Sequence, residues 1–211
     1  LRELRGHVTS LVHPENFSDP ETPDPQKFYL DFKKCISPFV NAETERLKDS
    51  LAQTENCHFL LLKSTALVDT VLESAFIAAL WIYNHTTTQQ KQLQTKNAPI
   101  AIIARGGYGR EEIYFQSDIA LQIVSKSDLT EDETEQAEQI TKHLEYLFVH
   151  QDIFQTSTSS CYVENDSLEK QLSTNKLTDL FPLLESRLVA GNSTIFLEFM
   201  STIKSASLLQ K

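Results

Sequence analysis

The sequence predicts an α+β protein, with helices first, a small strand-containing core over about residues 98–160, and helices again. Three observations carry this. Residues 59–84 place Leu61, Val68, Leu72, Ala75, Ala79 and Tyr83 at helical spacing. Residues 117–124 alternate, with Asp118, Ala120 and Gln122 facing one way and Ile119, Leu121 and Ile123 the other, as on a strand. The stretch after residue 128 opens on a capping box, Thr130 with Glu133, and continues as an apolar stripe of Ala137, Ile140, Leu144 and Leu147.

Taken in order, residues 1–12 are expected to form a short helix, and the proline-rich stretch 13–26 a loop or tether. Residues 27–40 and 41–53 read as helices separated near Pro38, because proline lacks the amide a helix interior needs. The run from Phe59 to Tyr83 is the longest apolar one, but Lys63, Asp69 and Glu73 interrupt it, so it reads as a buried helix and not a membrane span. Thr65 shares its apolar face. Residues 98–104 (Ala-Pro-Ile-Ala-Ile-Ile-Ala) form a strand that feeds the glycines, and residues 152–159 are a candidate further strand. Residues 177–191 are expected to be a helix ending at Gly191, a suitable left-handed C′ residue, and the stretch from Thr194 onward a last helix.

Composition bounds the function. The 211 residues carry a formal net charge of −10, which argues against a broad surface for nucleic acid or anionic membrane, both being negative themselves. Cys35, Cys57 and Cys161 are odd in number and form no Cys-x-x-Cys spacing, so neither a disulfide framework nor a zinc site is suggested; reduced thiols in a cytoplasmic protein are the expectation. The chain opens without Met and closes on Leu-Leu-Gln-Lys, and a piece of a longer protein is expected.

The chemistry concentrates in residues 103–124. Of only five glycines, Gly106, Gly107 and Gly109 fall within four positions. Glycines after a strand let backbone approach a ligand closely, and successive amides there can form a nest for phosphate, with Arg110 adding a cation. A tight turn that binds nothing remains the alternative. The pattern is neither a dinucleotide-binding G-x-G-x-x-G nor a P-loop, since no G-K-[ST] follows and the next element is a strand. Eight residues beyond Arg110 comes Asp118 on the alternating strand. Two carboxylates at i and i+2 on a strand point the same way and can hold Mg²⁺ against a triphosphate. Asp118 is the first of such a pair; Ala120 stands where the second would be.

The stretch Gly-Gly-Tyr-Gly-Arg-Glu-Glu-Ile-Tyr-Phe-Gln-Ser-Asp-Ile-Ala-Leu (106–121) resembles the nucleotidyltransferase motif of the bacterial uridylyltransferase/uridylyl-removing enzymes that modify PII nitrogen-signalling proteins, roughly G-G-Y-G-R-G-E-L-x-P-x-S-D-[IV]-D-L. Gly106, Gly107, Tyr108, Gly109, Arg110, Glu112, Ser117, Asp118, Ile119 and Leu121 fit it. Residues 177–199 are similar to the helical stretch after that family's core, and residues 64–81 to the helix before the motif, so the resemblance spans about residues 60–205. It implies a polymerase-β-like nucleotidyltransferase core, a short mixed sheet with flanking N- and C-terminal helices, divided as an N-terminal helical segment with its tether (1–58), the core with its leading helix (59–165) and a C-terminal helical segment (166–211). It also implies nucleotide binding by Gly106, Gly107, Tyr108, Gly109, Arg110 and Ser117, with Asp118 as catalytic and Mg²⁺-binding residue.

Four departures weigh against full activity. Ala120 replaces the second metal carboxylate; Glu111 stands where the family commonly has glycine; Phe115 replaces a proline; and residues 154–160 lack the glycine, histidine and arginine of a family stretch like V-G-H-S-V-R-T. Gln122, Glu111 and Glu112 are the residues placed to make good the lost carboxylate. The expectation is a nucleotide-binding regulatory or interaction module in bacterial signal transduction, impaired in catalysis, with a PII-like or other signalling protein as partner. The alternative is an active Mg²⁺-dependent transferase moving a nucleoside monophosphate from its triphosphate to a protein hydroxyl. Structural roles are expected for Tyr108, in packing, for Arg110, paired with Glu112, and for Arg187, in a salt bridge to Glu185 or a core acid. His143 and His150 are read as cations near a helix end.

Overall fold

The computed structural model describes residues 24–53, 56–87, 92–114, 117–126, 128–148, 153–154, 161–164 and 177–209. The expected helix over 1–12 and most of the 13–26 loop lie outside them, as does His150. The fold is α+β. Helix α1 (Pro25–Gln53) and helix α2 (Cys57–Thr86) precede a 3₁₀ turn at Thr95–Asn97, strand β1 (Ile100–Ala104), the short helical turn α3 (Gly106–Gly109), strand β2 (Ile119–Ser125) and helix α4 (Glu131–Phe148). Strand β3 (Cys161–Glu164), helix α5 (Leu177–Leu184), strand β4 (Arg187–Gly191) and helix α6 (Ser193–Leu209) complete it.

The four strands form one mixed sheet in the order β3-β2-β1-β4. Central β1 is antiparallel to both β2 and β4, and β2 is parallel to β3. Alternation on β1 serves two cores. Ile100, Ile102 and Ala104 join Leu121 and Ile123 in packing against α2 and α4, while Ala101 and Ile103 pack with Val124 against Leu183 of α5 and Ile195, Phe199 and Ile203 of α6. Strand β1 is therefore buried on both faces.

Helix α2 is apolar nearly all round because it is interior, packed against α1, α4 and β4. By length and composition it is apolar enough to cross a membrane, yet 78% of its most apolar window is buried inside the protein. Helix α4 begins as its capping box predicts: Glu133 donates its amide to Thr130 Oγ1 at 3.2 Å, and Thr130 returns its amide to Glu133 Oε2 at 3.1 Å. The predicted stripe of Ala137, Ile140, Leu144 and Leu147 is the buried face.

Four expectations are corrected. Helix α1 does not break near Pro38 but runs through it, because Phe32, Ile36 and Val40 on either side of the proline are buried against the core and anchor both halves to it. It starts at Pro25, in the first helical position, with Asp24 Oδ1 accepting the amides of Gln26 and Lys27. A strand β3 lies at Cys161–Glu164; of the strand expected over 152–159 only Ile153 and Phe154 are described and neither is in a strand, the rest lying outside the described residues. Residues 177–191 are not one helix: α5 stops at Leu184 and Arg187–Gly191 is strand β4. Gly191 does adopt a left-handed φ of +95°, but at the end of a strand, where a Cβ would lie 2.6 Å from the Ile100 carbonyl oxygen. Finally, His143 is no helix-end cation. It is partly enclosed between α1 and α4 and takes the Tyr29 hydroxyl at Nδ1 (2.5 Å); burial, with Lys142 adding repulsion, lowers its pKa to about 4 and keeps it neutral.

Candidate functional site

Strand β1 ends at Ala104, and the chain then makes the single helical turn Gly106–Gly109. Four residues, three of them glycine, are far below the length at which a helix sustains itself, so the turn is shaped by its surroundings. On one flank the Arg105 amide donates to the Ala120 carbonyl at 3.0 Å, which extends the β1–β2 register by one residue and sets the start of β2 beside the turn. At the other end, Gly109 lies so close to the α5–β4 connection that a Cβ would sit 2.2 Å from the Glu185 carbonyl oxygen. Gly109 is glycine because backbone passes there.

Gly106 and Gly107 differ from it. Gly106 has φ +53°, and a Cβ added there would meet nothing within 4 Å among the described residues. Gly107 has no left-handed φ, and among the described residues its added Cβ would meet only Arg110 Nη2, at 4.0 Å. The later amides are used inside the turn, Gly109 donating to Arg105, Arg110 to Gly106, and Glu112 to Gly107 at 2.8 Å. The Gly106 and Gly107 amides, at its leading end, donate to no backbone carbonyl among the described residues.

Tyr108, the turn's one large side chain, points into the core, 1% exposed, and its hydroxyl donates to Asp69 Oδ1 at 2.7 Å. Its side chain packs in this geometry, which leaves only its backbone for the nucleotide contact that the resemblance implies at Tyr108. Asp69, buried in α2, also receives a two-pronged bond from Arg187 at the head of β4, Nη1 to Oδ2 at 2.9 Å and Nη2 to Oδ1 at 3.0 Å. Arg187 stands 5.5 Å from the centre of the Tyr108 ring. Burial works to lower the Arg187 pKa, but its bonds to Asp69 outweigh that and the net shift is upward. Arg187 thus pairs with a core acid. Asp69, however, escaped the sequence reading, which took it only as a break in an apolar run. The signal was available: Asp69 lies four residues after Thr65 and three before Leu72, on a face that is buried.

Arg110 is exposed and engaged, Nε with Glu112 at 2.7 Å and Nη1 with Glu185 at 2.5 Å. The bonds to Glu112 and then Glu185 raise its pKa. Glu111 adopts φ +62°, the one left-handed non-glycine among the described residues, and its carboxylate reaches Arg187 Nε at 3.7 Å. That backbone geometry explains why glycine suits this position in the resembling motif. Ser117 Oγ accepts the Tyr114 amide at 2.8 Å while the Ser117 amide returns to the Tyr114 carbonyl at 2.9 Å, which closes the loop leading into β2. Asp118 follows, exposed, one residue ahead of β2. Ala120 is half-buried and Gln122 fully buried, so the polar face of β2 goes from exposed to enclosed along its length.

Among the described residues the side chains form no metal centre of their own. Ala120 offers only a methyl group, and among the described residues no group of three or more His, Cys, Asp or Glu side chains is placed to hold an ion.

The described core thus sets a glycine turn at the end of β1 and an exposed aspartate one residue ahead of β2. No family model matches the chain. Over 112 residues it is 30% identical to the bifunctional uridylyltransferase/uridylyl-removing enzyme of Idiomarina loihiensis, a match covering 52% of this chain. The chain spans only 12% of that enzyme's length. The similarity is to a nucleotidyltransferase-related family.

Proposed function

We propose that this chain is a nucleotide-binding module of nucleotidyltransferase type, impaired in transfer, that serves a regulatory or interaction role towards a signalling protein. The observation that carries the reading is Gly107. Its backbone does not require glycine, no described residue but Arg110 comes within 4 Å of where its Cβ would be, and alanine would suit a helical turn better. A missing side chain at such a place is explained by something that must come close to the backbone. A phosphate is the group suited to the Gly106 and Gly107 amides, and Arg110 is the adjacent cation once it turns from Glu112 or Glu185. Mg²⁺ would come with the phosphates of the nucleotide, with Asp118, the acid at the motif's metal position, as the carboxylate to meet it. Ala120 is the ground for impaired transfer, since removing a group that acts in the transition state typically costs ~10²-fold or more in rate.

Calorimetry with UTP, ATP and GTP, with and without Mg²⁺, tests this directly. Binding without pyrophosphate release in the presence of a candidate acceptor protein is the expected result. Release of pyrophosphate would establish the active transferase instead, and failure to bind any of the three would refute the reading.

A further inference from the structure

We infer that Asp69 is the positioning residue of the glycine turn, acting through Tyr108 and Arg187 from inside helix α2. Its functional consequence rests on the nucleotide-binding reading above; its geometry does not. The turn's few internal backbone hydrogen bonds are too little to hold a helix of four residues, three of them glycine. Its exposed attachments, Arg110 to Glu112 and Glu185, are solvated ion pairs of small worth. The buried attachment is different. The Tyr108 side chain occupies the core, and the Asp69 carboxylate fixes where its hydroxyl sits.

The same carboxylate fixes the opposing wall. Arg187 binds both Asp69 oxygens, and Arg187 stands two residues after Glu185, whose carbonyl is the surface against which Gly109 rests. Both sides of that close backbone contact are therefore referred to one buried group on a third element. A two-pronged ion pair whose acid is buried has one good geometry and a cost for leaving it, which makes it a suitable reference point for amides that need to be aimed. Displacement of Asp69 would move Tyr108 and the Glu185–Arg187 segment together, and with them the open amides of Gly106 and Gly107.

The test uses the whole chain with Tyr108→Phe, which removes the hydroxyl and keeps the ring, and Asp69→Asn, which also weakens the Arg187 limb. Two quantities are read: amide hydrogen exchange in peptides covering residues 105–112, and the affinity for UTP with Mg²⁺ by calorimetry. Tyr108→Phe is expected to speed exchange in the turn about tenfold with α4 unchanged, and to weaken UTP binding about tenfold, the scale of one lost hydrogen bond of ~1.4 kcal/mol. Leu144→Ala, a core truncation in α4, is the control, lowering the melting temperature without changing UTP affinity. Should Asp69→Asn fail to fold, Tyr108→Phe alone decides. Unaltered exchange in the turn overturns the inference, and so does altered exchange with unaltered affinity. Altered exchange in a protein that binds no UTP even as wild type upholds the positioning of the turn and refutes the nucleotide reading instead.

Discussion

The same one-methyl change at three neighbouring glycines should give three different results. At Gly109 an added Cβ would lie 2.2 Å from the Glu185 carbonyl oxygen and 3.1 Å from that of Ala104. Both obstacles are backbone, so no side chain can turn away, and the α5–β4 connection must shift by about an ångström to restore contact distance. Overpacking of this kind costs about 3 kcal/mol. At Gly106 the space is open and only the left-handed φ of +53° resists, which costs ~1 kcal/mol for a residue with a Cβ. At Gly107 neither objection applies, and the helical preference of alanine makes the change neutral to slightly stabilising, by up to ~0.5 kcal/mol. With about 2–4 °C of melting temperature per kcal/mol for a chain of this size, Gly109→Ala should melt about 6–12 °C lower, Gly106→Ala about 2–4 °C lower, and Gly107→Ala within a degree or two of wild type.

Stability alone does not complete the comparison. If a phosphate approaches the Gly107 amide, the Gly107→Ala methyl occupies the approach, and nucleotide affinity should fall about tenfold in a protein whose melting is unchanged. Thermal denaturation and calorimetry on the three variants read both quantities. A Gly107→Ala variant that binds nucleotide as wild type does removes the reason given for glycine there. A Gly109→Ala variant that melts normally refutes the contact with Glu185.

Three further outcomes are expected. Ala120→Asp should raise Mg²⁺-dependent nucleotide affinity about tenfold, the scale of a restored charge-assisted contact, and unchanged affinity on calorimetry would place residue 120 outside the metal's reach. His143 has a folded pKa near 4 against an ordinary 6.5, so the unfolded chain binds more protons between these values. Its contribution to stability is whole above about pH 6.5 and is lost as pH falls towards 4, by about 2 kcal/mol after allowance for its partial exposure. Urea midpoints over that range should drop less in His143→Gln than in wild type, and equal drops would refute the assignment. Glu111→Gly should gain ~1 kcal/mol from relief of the left-handed φ and lose at most ~0.5 kcal/mol with the 3.7 Å pair to Arg187, for a net rise in melting temperature of about 1–2 °C. A fall would show that the ion pair outweighs the backbone.

What the sequence made legible, and what it hid, divides along the range of the interactions responsible. Helix α4 could be read to within a residue at its start because its signals are local: a capping box three residues wide and a stripe repeating every three or four. The β1–turn–β2 unit was legible for the same reason. The segment 177–191 was not. Leu183 and Leu184 before the break and Leu188, Val189 and Ala190 after it are equally compatible with a helix or a strand, and what decides for β4 is pairing with β1, almost ninety residues away in sequence. Pro38 shows the converse: a strong local signal for a break, overridden by the buried Phe32, Ile36 and Val40. The candidate site follows the same division. Its glycines, Ser117 and Asp118 sit within thirteen residues and could be named together. Asp69 and Arg187 are 118 positions apart, and although a core acid was one expected partner for Arg187, nothing local connects the two. Opposite charges set in largely apolar segments are each costly to bury alone and much less so as a pair, so the presence of both is a reason to look for their contact. Applied to the sequence, that argument singles out Asp69 as the core acid for Arg187, since the other acid in the same apolar run, Glu73, does not share the face of Thr65 and Leu72.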